Sequence, residues 1–276
     1  MIDENELLRH LPNFADERQL EKDYLINLML KIFSMTELSA RALFKGGTAM
    51  SLFYGLDRFS EDLDFTYMYK EGETEKDALV VIDRGVGRIL ADYNSNYTVR
   101  KSKTGVLGRN ADGSMRDVRN EFFIEGPLFS RTGRSHKIKL EVSLRRDVIS
   151  APKTAEKLIS KYRDIGSMLL YVMGENEILS EKECALIERD KARDLYDMYF
   201  LLRYKGVKFD RGMFARKKDL RGEMLSLGTL RSRISKFDGK QWKEELSYLL
   251  KQLPEVSEVK KTILKDMDRK GKEAQA

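Results

Sequence analysis

Residues 45–65 read KGGTAMSLFYGLDRFSEDLDF, and the fold is decided there. Gly46 and Gly47 let backbone N–H groups approach a ligand closely. They lead into a helix N-terminus, where free N–H groups and the helix dipole favour a phosphate. Thr48 adds a hydroxyl to the same turn. A short apolar segment follows and stops at Gly55. Two carboxylates then appear as Asp62-Leu63-Asp64 at the start of a strand-like run, DLDFTYMY. Period-two alternation puts Asp62 and Asp64 on one face. So close together they repel unless a cation lies between them. A divalent ion, Mg²⁺ or Mn²⁺, suits oxygen ligands shared with substrate phosphates.

Working outward, 137–144 (KIKLEVSL) alternates clearly. Ile138, Leu140, Val142 and Leu144 share one face, and Lys137, Lys139, Glu141 and Ser143 the other. Glu141, an acid on the polar face of an apolar strand, is the candidate third metal ligand beside Asp62 and Asp64. A lone D-x-D is more often a solvated edge-strand pair. The glycine turn one helix upstream and the third acid tip the balance toward a metal site.

The spacing predicts a helix over 17–34, with Leu20, Tyr24, Leu25, Leu28 and Ile32 on one side. Residues 74–92 also read as helix, and 96–101 and 119–125 as strands. The Gly- and charge-rich stretch from Gly105 to Asp117 reads as a loop or hairpin tip. From about Pro152 the pattern is helical, with segments over 176–189 and 191–205 and a basic helical tail. The expected organisation is a mixed α/β domain over 1–150 and a helical domain over 151–276.

The chain has 276 residues, 41% hydrophobic and 35% charged, a globular composition. No run approaches the roughly 20 apolar residues that span a bilayer. The N-terminus lacks a basic-then-apolar signal pattern, so a cytoplasmic protein is expected. Cys184 is the single cysteine, which excludes an intrachain disulfide and a cysteine zinc site. Only His10 and His136 are available for histidine chemistry, and neither sits in a recognisable motif. The net charge of +6 is uneven. From residue 203 on there are 20 Lys and Arg against 11 Asp and Glu, a balance of +9; the first 202 residues carry 31 against 34, or −3. A basic C-terminal third suggests an anionic partner such as nucleic acid, against the blander alternative of a solvated helical surface.

The 45–65 stretch resembles the nucleotidyltransferase superfamily related to DNA polymerase β, and within it the AbiEii/AbiGii toxin family that includes the MenT toxins. Gly47-Thr48 stands where the superfamily has Gly-Ser, and Asp62-Leu63-Asp64 matches its acidic pair. KGGTA from Lys45, Tyr54-Gly55, Arg58, Ser60 and DLDF look like the AbiEii version. A second stretch, 177–202 (EILSEKECALIERDKARDLYDMYFLL), resembles the later motifs of that family, a lysine followed by Arg-Asp-Leu-Tyr-Asp. On that resemblance Lys182 and Asp194, and with them Asp197, carry over as active-site residues. Physically, Lys182 offers a point charge for a triphosphate. Its ordinary alternative is a solvated helix lysine, and for Asp194 and Asp197, at i and i+3, a helical salt-bridge ladder.

The resemblance implies an α/β (α+β) nucleotidyltransferase fold, a small mixed sheet flanked by helices and followed by a helical domain. It implies NTP as substrate, with Lys45, Gly46, Gly47, Thr48, Arg58 and Ser60 near the nucleotide. Asp62, Asp64 and Glu141 would hold Mg²⁺ or Mn²⁺. Asp62, Asp64, Lys182 and Asp194 would be catalytic. The expected acceptor is RNA, at a tRNA 3′ end, in a toxin paired with an antitoxin. Transfer to a protein or small molecule, or binding without turnover, are the alternatives. Three departures stand out: Thr48 for the superfamily serine, which keeps a hydroxyl, Glu141 where many relatives have Asp, and Glu61 beside the pair with no evident purpose.

Overall fold

A computed structural model describes residues 2–101, 104–110, 113–221 and 226–273, with side chains as far as 268. The chain divides into two compact units. The first holds Met1–Phe53 and Ser60–Val172, and the second Tyr54–Phe59 and Met173–Ala276.

The first unit is a mixed sheet with helices. In chain order it contains α1 (Glu4–Leu8), α2 (Glu17–Ser34), β1 (Ala42–Lys45), α3 (Gly46–Tyr54), β2 (Asp62–Tyr67), α4 (Glu75–Asn94), β3 (Thr98–Lys101), β4 (Gly105–Arg109), β5 (Met115–Glu125), α5 (Phe129–Thr132), β6 (His136–Ser143), β7 (Glu156–Ile159) and β8 (Ser167–Val172). Strand order is β3-β5-β6-β2-β1-β8-β7, with β4 pairing β5 at the side. Pairing is parallel at β2–β6 and β1–β8 and antiparallel elsewhere.

The helix expected over 17–34 is α2, residue for residue. Asp16 caps it by accepting from the Gln19 amide at 2.8 Å. One sheet face is apolar: Leu63, Phe65 and Tyr67 of β2 and Ile138, Leu140 and Val142 of β6 are buried. Phe33 of α2 stacks on Phe65 at 4.3 Å between ring centroids, and Phe44 of β1 stacks on it from beside at 4.9 Å. Alternation therefore turns Asp62, Asp64 and Glu141 to the face opposite α2. The stretch expected as a loop or hairpin tip opens with β4, which pairs back on β5; residues 111 and 112 within it lie outside the described residues.

The helical pattern expected from Pro152 begins only at Glu175. Before it come β7 and β8, which belong to the first unit's sheet. The reason is local. β8 reads SMLLYV, and only Met168, Leu170 and Val172 are buried while Leu169 is 59% exposed. An outward-facing leucine hides the alternation that would have marked a strand.

The second unit is helical: α6 (Glu175–Arg189), α7 (Ala192–Arg203), α8 (Arg211–Arg221), α9 (Leu227–Lys236), α10 (Gly239–Leu246) and α11 (Val256–Glu273). α7 is almost wholly buried and packs on α6, α10 and α11. Asp190 ends α6 in the left-handed region, φ 50°. Tyr196, Tyr199 and Phe200 are core residues, as is Trp242, whose indole N–H donates to the Pro254 carbonyl at 3.0 Å. Cys184 is buried, and burial pushes its thiol up to about 12, the behaviour of a packing residue rather than a nucleophile. No helix among the described residues is long and apolar enough to cross a membrane.

Candidate active site

The acid pair is built by the turn between β1 and α3. Lys45 ends β1 opposite Asp64 in the antiparallel register with β2. Gly46 then takes φ +77°, which L side chains rarely adopt. A Cβ there would lie 2.3 Å from Asp64 Oδ2, so glycine is needed for conformation and for space. The Asp64 carboxylate thus sits against the first backbone of α3. Thr48 is buried and donates from Oγ1 to the Asp62 carbonyl at 2.5 Å; its Oγ1 also lies 3.0 Å from Ser60 Oγ, within hydrogen-bond distance. The Gly-Gly-Thr turn therefore pins the strand that carries both acids.

β6 adds the third acid. Its parallel register sets Glu141 beside Asp64 and Lys139 beside Asp62. On the other flank, β5 sets Arg119 opposite Glu141. Arg119 donates to Glu141 Oε1 from Nε at 2.7 Å and approaches it with Nη2 at 2.6 Å. Lys139 Nζ is 3.3 Å from Asp62 Oδ1. Burial pushes the Glu141 carboxyl above its usual range and the Asp64 charge pushes the same way, while Arg119 opposes both. Glu61 also finds its purpose, in an ion pair with Lys22 of α2. Lys45, Gly46, Gly47, Thr48, Ser60, Asp62, Asp64 and Glu141 are thereby brought together in the first unit.

The donors suit a hard divalent ion: three carboxylates on adjacent strand positions, with the charged form of Glu141 disfavoured until a cation compensates. As the side chains stand, no three acidic, His or Cys groups among the described residues are arranged to chelate an ion. Arg119 is paired with Glu141, and Lys139 with Asp62.

Lys182, Asp194, Asp197 and Arg58 form one connected network within the second unit. Arg58 makes a two-pronged pair with Asp197, both contacts 2.7 Å. Lys182 Nζ lies 2.6 Å from Asp197 Oδ2 and 3.1 Å from Asp194 Oδ1. Arg189 closes on Asp194 at 2.7 and 2.8 Å. Both aspartates are fully buried and Lys182 is 5% exposed. Burial alone would raise Asp194; Lys182 and Arg189 outweigh it and hold the carboxyl well below the usual range. Asp197 is likewise held down, by Arg58 and Lys182 against burial. Lys182, Arg58 and Arg189 thus surround the two buried carboxylates.

Arg119, Lys139, Lys22 and Arg189 were not singled out from the sequence. For Lys139 the signal was present, two residues before Glu141 on the same strand face. Arg119 required the β5–β6 register, which composition does not reveal.

The sequence profile of the nucleotidyl transferase AbiEii toxin family, of type IV toxin–antitoxin systems, matches residues 28–269. The chain belongs to the AbiEii family. It is a nucleotidyltransferase of that toxin family, and the match takes in both the acid pair and the Lys182–Asp197 network. No curated protein matches it in sequence. Its fold is similar to that of MenT4, a nucleotidyltransferase toxin from Mycobacterium tuberculosis H37Rv, at TM-score 0.63 and 19% identity over 96% of this chain and 88% of that one. A putative nucleotidyltransferase from Helicobacter pylori gives 0.54 and 23% over 90% and 92%. JHP933 from Helicobacter pylori gives 0.54 and 20% over 95% and 99%. The α/β nucleotidyltransferase fold expected from the sequence is the one observed.

Proposed function

We propose that this AbiEii-family toxin transfers a nucleoside monophosphate from an NTP to an RNA hydroxyl, the 3′ end of a tRNA, and does so with Mg²⁺ or Mn²⁺ held by Asp62, Asp64 and Glu141. The carrying observation is that these three carboxylates share one sheet face, in register, against the Gly46 turn. A divalent ion there would supply Lewis-acid activation of the phosphoryl group and of the acceptor hydroxyl.

The residues of the chain do the rest. Gly46 and Gly47 admit the phosphates close to the backbone at the start of α3. Lys45 adds positive charge at the same turn. Thr48, bonded to the Asp62 carbonyl, and Ser60, bonded to Thr48, fix the start of β2. The second unit carries the other proposed catalytic pair, Lys182 and Asp194: Asp194 and Asp197 hold the Lys182 ammonium, and Arg58 fixes Asp197.

The RNA acceptor is supported by the +9 balance from residue 203 on. The run Arg216-Lys217-Lys218 within this segment is not one basic patch. Lys217 is fully buried, paired with Glu177 at 2.7 Å and Glu181 at 2.8 Å, so it is a core ion pair and not a phosphate contact. Arg216 is exposed and Lys218 half-exposed. Arg231 and Arg233 are engaged at the surface with Asp268 and Asp190. A cognate antitoxin and a cytoplasmic site of action go with the toxin assignment.

The test is incubation of the full chain with each labelled NTP, Mg²⁺ and total RNA. Label in tRNA is expected. Label in protein, or in no macromolecule, would overturn the RNA acceptor.

A further inference from the structure

The sheet face that carries the acids also carries their counter-charges. Across the register the charges run Asp62–Lys139–Glu121 in one row and Asp64–Glu141–Arg119 in the next. The guanidinium of Arg119 directs two nitrogens at the single oxygen Oε1 of Glu141, at 2.7 and 2.6 Å. It lies on the metal-facing strand surface and not at an outer rim, because residue 119 is paired directly opposite 141.

We infer that Arg119 is a displaceable counter-cation: it holds Glu141 Oε1 while no divalent ion is bound, and that oxygen becomes a ligand only once Arg119 has moved off it. The inference rests on the metal-dependent reading above. An oxygen that accepts two charged N–H donors has little lone-pair capacity left for an ion. An Arg⁺ fixed there would also repel a divalent cation across a few ångströms. Displacement is feasible because the pair is only half-buried, with side chains 32% and 24% exposed, and such pairs hold weakly. Ion binding becomes a cation exchange at Glu141, and Arg119 sets its threshold as a positioning residue.

The direct test is Mn²⁺ binding, followed by electron paramagnetic resonance on the full chain without nucleotide. Arg119→Met is expected to bind Mn²⁺ about tenfold more tightly than wild type, and Arg119→Lys, which keeps the charge, to stay near wild type. Circular dichroism checks folding, and Arg119→Gln replaces the methionine variant if that one does not fold. Unchanged or weaker Mn²⁺ binding by a folded, neutral variant would overturn the inference. Asp62→Asn is measured alongside. If it loses an ion that wild type and Arg119→Met bind equally, the counter-cation role falls and the metal site stands. If no protein binds Mn²⁺ saturably, both fall together.

Discussion

Gly46 shows how much of the site hangs on one residue. Its φ of +77° and the 2.3 Å gap to Asp64 Oδ2 both exclude a side chain. Gly46→Ala should therefore cost roughly 1–2 kcal/mol for the left-handed backbone and push the Asp64 carboxylate aside. We expect a folded protein with a slightly lower melting temperature and transfer reduced at least about tenfold; unimpaired transfer would show that the close approach is incidental. Asp197 is a different case, a fully buried carboxylate shared by Arg58 and Lys182. Asp197→Ala strands two cations and should destabilise by about 3–5 kcal/mol, read in chemical denaturation. A loss below about 1 kcal/mol would mean that water replaces the carboxylate. Glu183 behaves oppositely. Both its oxygens are buried, and burial raises its carboxyl well above the usual range against an opposing hydrogen bond from Ser180. Its folded-state pKa exceeds the unfolded one, so stability is greatest below the unfolded value and declines as pH rises toward the folded value. Glu183→Gln should be more stable than wild type at neutral pH, with a flatter pH dependence of unfolding above pH about 4.5. Parallel curves for the two proteins would refute this.

At the scale of elements, legibility followed periodicity. α4, α7 and β6 were visible because their apolar positions repeat at 3.6 or 2, whereas α2, buried on most sides, was visible by its long helix-favouring apolar run. β1 is four residues long, and next to two glycines it reads as the edge of a turn. β8 was masked by its exposed Leu169. The acids Asp62, Asp64 and Glu141 were found because each stands out against an apolar strand. Arg119 and Lys139 were not, because a cation on the polar face of a strand has no unusual letter pattern; only the register gives it a carboxylate. α8 carries a similar lesson. The run Arg216-Lys217-Lys218 looks like one basic patch, yet a helix turns each residue about 100° from the last. Lys217 consequently faces α6 and is buried there, while its neighbours face outward. Lys217→Glu should unfold or strongly destabilise the second unit by setting three carboxylates together. Glutamate at 216 and 218 should leave the melting curve near wild type.

For the molecule as a whole, charge separates where patterning does not. The body to residue 202 is at −3 and the remainder at +9. With Lys217 set aside as structural, the Arg216→Glu, Lys218→Glu double variant is the fair probe of RNA binding. It should raise the apparent KM for RNA and flatten its salt dependence, since fewer counterions are released, with NTP binding unchanged. An unchanged salt slope would reassign this surface to solvation. The central claim is the chemistry at the acid pair, and transfer of labelled NMP to RNA by Asp62→Asn and Asp64→Asn tests it most directly. Each variant removes one anionic ligand and none of the packing, so circular dichroism should stay native while labelling falls to background; a folded variant that labels RNA at the wild-type rate would contradict the assignment of the site.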